Sequence, residues 1–152
     1  MGTGTGHAQV VFVPPSGVIR IDKLVIGDAG LQDDASIRVR CQQLPNFGDA
    51  TFDETEVVPA GTSVISLVFA PISAPADCTA SEVDDGGNAI ASVQVTGLPT
   101  SFRLNPNEDY AIGVTNDVTA ERGDLRVTKV SIGEAADTRS DVLIEVGCVD
   151  PA

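Results

Sequence analysis

Tryptophan is absent from this 152-residue chain, and aromatic residues of every kind make up only 4% of it. The interior must therefore be built from Val, Ile, Leu and Thr, a set weighted toward branched side chains that favour strands. Bases are also scarce. Nine Lys and Arg against 22 Asp and Glu leave a net charge of −13. That balance disfavours DNA and RNA, whose phosphates call for clustered cations, and it disfavours anionic membrane surfaces. Histidine occurs once, as His7 in the leading stretch Met1–His7. A zinc site and a Ser–His or Cys–His nucleophile therefore both lack parts. No Gly-x-Ser-x-Gly elbow occurs, and the glycines of Gly2–Gly6 follow no strand and precede no Lys-Ser/Thr pair, so a phosphate cradle is not supported. No apolar run nears the roughly 18 residues of a spanning helix. The N-terminus lacks the basic-then-apolar order of a signal peptide, and residues 1–8 read as a flexible arm.

What the chain does have is enough apolar content to fold, 42% hydrophobic against 20% charged, and a repeat. Gly17–Gly30 (GVIRIDKLVIGDAG) returns as Gly123–Ala136 (GDLRVTKVSIGEAA). Six of the fourteen positions are identical and four are conservative swaps. The only two lysines, Lys23 and Lys129, occupy the same place in the two copies. After a one-residue slip, Ile37–Cys41 lies over Ile144–Cys148. A separation of about a hundred residues is too long for a solenoid period. We read 9–152 as one domain with related hairpins at 17–41 and 123–148. Cys41 and Cys148 end equivalent copies and are a candidate disulfide, leaving Cys78 free; three small buried hydrophobes is the plainer reading.

Period-2 alternation marks most strands. Gln9–Val13 is a short apolar strand stopped by Pro14-Pro15. In the first repeat copy, Ile19 and Ile21 alternate with Arg20 and Asp22, and the apolar face then passes to Leu24 and Ile26. A phase jump at the same place in both copies predicts a β-bulge at Asp22-Lys23 and Thr128-Lys129. Strands are expected over 36–41, 50–58, 88–96 and 100–104. The stretch 62–70, the most continuously apolar of the strands, is expected at the centre of a sheet. Pro71–Gly87 reads as the longest polar connection, and Asn116–Arg122 as a link to the second copy. About ten short strands with no amphipathic helix predict an all-β antiparallel sandwich, immunoglobulin-like or jelly-roll.

Leu104–Val114 has the pattern L-x-P-x-x-x-Y-x-I-x-V. It resembles the tyrosine corner of fibronectin type III and other immunoglobulin-like Greek-key sandwiches, in which a Tyr opens a strand and its hydroxyl ties back to the preceding loop. The resemblance covers eleven residues. The core Trp of an earlier strand in such domains has no counterpart here.

Among ligands, calcium is the best candidate, with Asp84, Asp85, Asn105, Asn107 and Asp109 as loop oxygens. The Asn105/Asn107/Asp109 spacing imitates an EF-hand opening, but Tyr110 stands where that loop needs Gly and Asn116 replaces the closing Glu. Solvated turns explain the same residues. No other cofactor is expected. Acids are too abundant for any pair to signal glycoside chemistry. Arg20, Lys23, Arg126 and Lys129 are the main bases on the repeat strands. They are candidate assembly contacts to acidic loops of a neighbour, with Val10, Val11, Phe12 and Val13 as a donated strand; exposed internal pairs explain the bases equally well. The expected function is structural and non-enzymatic. The leading expectation is a virion component such as a capsid decoration or tail-associated protein, partnered by a capsid lattice or by copies of itself. The alternative is an extracellular or cell-surface filament subunit joined by strand donation, or a calcium-dependent adhesion or carbohydrate-binding module.

Overall fold

The computed structural model describes residues 15–123, 125–128, 130 and 143–147. The chain divides into two units, residues 1–122 and 123–152. Among the described residues of the first there are eight strands: β1 (Ser16–Gly27), β2 (Ala35–Gln43), β3 (Thr51–Val58), β4 (Val64–Ser73), β5 (Ala76–Asp84), β6 (Ala91–Thr96), β7 (Thr100–Leu104) and β8 (Asp109–Ala120). A single 3-10 turn, Ala29–Leu31, lies between β1 and β2. The strands form two four-stranded sheets, ordered β4-β1-β8-β6 and β3-β2-β5-β7. The fold is thus the expected β-sandwich.

The sheets face one another through alternate residues. Ile19 and Ile21 of β1, Leu67 and Phe69 of β4, and Ile112 and Val114 of β8 meet Ile37, Val39 and Cys41 of β2 and Ala76, Cys78 and Ala80 of β5. Residues with small or branched side chains fill this layer, and Phe69 is the one fully buried aromatic ring among the described residues. Val25, Ala91 and Val118 make a smaller cluster at one end.

Four details depart from the sequence reading. First, Pro71–Gly87 is not a connection: it contains β5, which pairs with both β2 and β7 inside its sheet. Its Asp77 and Glu82 hid the alternation Ala76-x-Cys78-x-Ala80. Second, β4 is an edge strand despite its largely apolar sequence, and Val64 and Val68 face outward. Third, β1 has no phase jump. Odd-numbered residues point inward from Ile19 to Val25, so Lys23 is buried while Leu24 and Ile26 are exposed. The register shift lies between Gly17 and Ile19 instead. Fourth, β1 and β8 pair in parallel, Ile21 opposite Ile112 and Val25 opposite Asn116. The first and last strands of the unit are therefore neighbours.

Cys41 and Cys78 stand opposite one another on antiparallel β2 and β5 and are joined, S–S 2.08 Å. A sulfur forms one disulfide, so the expected Cys41–Cys148 pairing is replaced; Cys148 lies outside the described residues. Tyr110 does open the last strand, and its ring stacks on Phe102 with centroids 4.1 Å apart and planes 7° from parallel. The strand expected at 9–13 falls outside the described residues, as does much of the second repeat copy. The described residues of 123–147 carry no strand.

Candidate functional site

Three strands carry an inward-facing run broken by one polar residue. On β1 the run is Ile19, Ile21, Lys23, Val25; on β8 it is Ile112, Val114, Asn116, Val118. On β5 it is Ala76, Cys78, Ala80, Glu82. The parallel pairing sets Asn116 one inward step beyond Lys23 on the neighbouring strand, and β5 presents Glu82 from the opposite sheet. The three polar groups meet in the interior. Lys23 Nζ donates to Glu82 Oε1 at 2.6 Å, and Asn116 Nδ2 donates to the same oxygen at 2.9 Å. The side chains of Lys23 and Glu82 are 0% and 4% exposed, and Asn116 is 0% exposed.

Burial pushes the Lys23 amine below its ordinary value. The hydrogen bond and charge of Glu82, and the charge of Asp85, pull it back up without cancelling that shift. Two acceptors in the cluster, Glu82 Oε2 and Asn116 Oδ1, have no hydrogen-bond partner. As a stabilising device this arrangement is poor. Taking an ion pair out of water costs several kcal/mol per ion, and apolar residues of similar volume often do better. Ile21 and Val25 show what the same strand face otherwise accepts.

Chemically the arrangement is apt for acyl transfer. Glu82 Oε1 can accept a proton from Lys23, leaving a neutral amine nucleophile in a water-poor site. Among the described residues, the carboxamide hydrogen-bonded to that carboxyl is that of Asn116. Attack of Nζ on Cγ forms a C–N bond; Glu82 passes its proton to Nδ2, which leaves as ammonia, and takes up the second proton that Nζ sheds as the amide forms. Amine plus carboxamide gives amide plus ammonia, with no oxidant, metal or cofactor. A cleft of about 370 Å³, lined by Glu82, Val83, Asp84, Asp85, Val95, Leu98 and Pro99, opens beside the carboxyl and offers ammonia a way out.

The unreacted form has a predictable pH response, visible in an Asn116→Ala chain. Between the lowered folded value of Lys23 and the 10.5 of an ordinary lysine, the unfolded chain holds a proton that the folded chain does not. Stability should therefore rise with pH across that window and be lowest below it. Urea titrations from neutral pH upward would measure this; a flat or falling trend counts against a desolvated amine.

The residues singled out from sequence fare differently. Lys23, expected as an outward contact, is corrected to a core position by the uninterrupted phase of β1. Arg20 is exposed and pairs with Asp109 within the chain. Arg126 is exposed, while Lys129 and Val10–Val13 lie outside the described residues. The calcium candidates are spread over two turns. Asp84 Oδ1 and Asp85 Oδ1 accept from the backbone N–H groups of Gly86 and Gly87. Glu108 Oε2 accepts from the backbone N–H and the side-chain amide of Asn105. Among the described residues, no group of three or more His, Cys, Asp and Glu side chains is placed to hold a metal. Sequence reasoning missed Glu82 and Asn116, taking one for loop and the other for a link. No helix among the described residues is long and apolar enough to cross a membrane.

No family model matches the chain, and no curated protein matches it. Among solved structures, a pilus-presented adhesin (Cpa) is similar over 68% of this chain and 28% of its own, at 16% identity and a TM-score of 0.47. The major pilin protein (T-13) from Streptococcus pyogenes is similar over 68% of this chain and 45% of its own, at 14% identity and a TM-score of 0.36. This chain thus spans less than half of either. At these scores the likeness carries no argument about function.

Proposed function

We propose that this chain is a structural subunit of an extracellular or cell-surface assembly, and that its sandwich locks itself with an amide bond between Lys23 and Asn116. Glu82 carries the proton. The bond forms once per chain, so the protein is not an enzyme in the sense of turnover. One observation carries the reading: a single buried carboxylate oxygen lies 2.6 Å from the amine and 2.9 Å from the carboxamide nitrogen. Two further features fit it. The Cys41–Cys78 disulfide suits an oxidising compartment. The bond would join the first and last strands of the unit, where a chain under tension is held.

This reading favours the filament alternative raised from the sequence. Capsid decoration gains nothing from the triad, since a lattice-bound cap has no need of a covalent tie between its end strands. Partners are then proteins, copies of this chain included. The test is intact mass. The purified chain should weigh one ammonia less than its oxidised sequence, and tandem mass spectrometry should find a branched peptide joining Lys23 to Asn116. A full-mass chain with free Lys23 overturns the proposal.

A further inference from the structure

We infer that Gln32 is a positioning residue for the cross-link: through the carbonyl of Asp85 it holds the Asn116 carboxamide with its nitrogen, and not its oxygen, against Glu82. This rests on the proposed chemistry of Lys23.

The reaction needs one orientation of that carboxamide. Its nitrogen must lie at Glu82, which supplies the proton on which it leaves. A carboxyl cannot enforce this alone. Ionised, Glu82 accepts from Nδ2. Once it holds the proton of Lys23 it can donate, and a flipped carboxamide would then satisfy it with Oδ1. A backbone carbonyl has no such ambiguity, because it accepts in every protonation state of its neighbours. Asp85, the first residue after β5, provides one. Asn116 Nδ2 lies 3.4 Å from its carbonyl oxygen, as well as 2.9 Å from Glu82 Oε1. A flipped carboxamide would set Oδ1 against the Asp85 oxygen, whatever the state of Glu82.

Gln32 fixes that carbonyl. It follows the 3-10 turn between β1 and β2 and is 5% exposed, and its Nε2 donates to the Asp85 carbonyl oxygen at 2.5 Å. Two further bonds lay the β1–β2 connection along the β5–β6 connection. The Asp33 N–H donates to the Gly86 carbonyl at 2.9 Å, and Asn88 Nδ2 donates to the Leu31 carbonyl at 2.8 Å. These hold the two connections side by side, and neither uses the Asp85 oxygen. Gly86 permits the close approach. It sits at φ +75, and a Cβ there would lie 2.7 Å from Gln32 Cγ and 2.5 Å from the Asp33 carbonyl oxygen. An apolar side chain of the same size would fill the place of Gln32 and leave both other bonds intact. What it could not do is hold the Asp85 carbonyl where the Asn116 carboxamide meets it.

The test uses the full oxidised chain, purified in denaturant before it has folded, then folded by dilution and followed by intact mass. The parent should lose one ammonia. Gln32→Met, matched in size but without a donor, should reach the same mass between about tenfold and a hundredfold more slowly, the penalty of a reacting group held about 1 Å out of place. The pH profile of the rate should not move, because the burial that sets the Lys23 amine is untouched. A substitution that merely loosened the packing would admit water to Lys23 and shift that profile. Gln32→Met reacting at the parent rate, or slowing with a shifted profile, overturns the inference and leaves the Lys23 reading standing. A parent that keeps its full mass overturns both. A second measurement leaves Gln32 in place. In a Glu82→Gln chain, which cannot relay the proton, the side-chain amide protons of Gln32 and Asn116 should show a nuclear Overhauser effect to one another, since both donate to one oxygen. Its absence overturns the inference even where Gln32→Met does not fold.

Discussion

An Asn116→Ala chain is expected to retain its full mass and to melt about 20 °C below the parent. The magnitude follows from loop closure. A bond from residue 23 to residue 116 ties off a segment for which the chain-entropy estimate is about 4.7 kcal/mol, the value for a loop of about 100 residues. A domain of about that length loses stability by roughly 0.2 kcal/mol per degree near its midpoint. This substitution spares the Lys23–Glu82 pair, so it isolates the cross-link from the ion pair. Lys23→Met removes both. It should melt lower still, because stranding a buried charge costs about 3–5 kcal/mol. Glu82→Gln keeps the shape but cannot relay the proton, and it too should show full mass. Differential scanning calorimetry beside intact mass decides the matter. If the triad were only a buried ion pair, Asn116→Ala would melt within a few degrees of a parent that itself has full mass.

Much of the sandwich was legible because alternation is a local signal. β1, β2, β6, β7 and the first half of β8 lie where apolar and polar residues take turns. Sheet position was not legible. The run from Val64 to Phe69 is apolar on both faces, which suits a central strand, yet β4 lies at an edge with one neighbour. Hydrophobicity reports contact on the faces of a strand, while being central is a matter of hydrogen-bonded neighbours. β5 was lost for the opposite reason: its inward residues Ala76, Cys78 and Ala80 are small, and acids surround them.

The site was misread through a rule that usually serves. Leu24 and Ile26 look like the continuation of the apolar face, so the alternation in β1 reads as breaking at Lys23, a residue type almost never fully buried. The simpler pattern, an inward face continuing through the lysine, was correct. The same error hid Asn116, which continues Ile112-x-Val114. A polar residue in phase with a buried face is the mark that such a site leaves in sequence. Two strands bear it within one inward step, two residues, of the same height, and β5 bears it with Glu82. What no local pattern could supply is the parallel pairing of β1 with β8, which depends on the whole path of the chain between them.

That pairing sets the mechanical expectation. Ser16 and Ala120 lie at opposite ends of the parallel pair, so tension applied through the chain shears β1 against β8. With the amide in place, force runs along β1 to Lys23, crosses to Asn116 and leaves along β8. The residues between them stand outside the path. Stretched from its two ends by single-molecule force spectroscopy, the parent unit should not release that segment at any force below covalent rupture. Asn116→Ala should release it. The freed length is set by the disulfide, which spans 37 residues of the same segment. With it intact, about 190 Å should appear, and with it reduced about 320 Å, at roughly 3.4 Å per residue. A parent that extends by either length carries no cross-link. A parent that holds while Asn116→Ala yields in these two steps places the amide, and not the hydrogen bonds between the strands, in the path of the force.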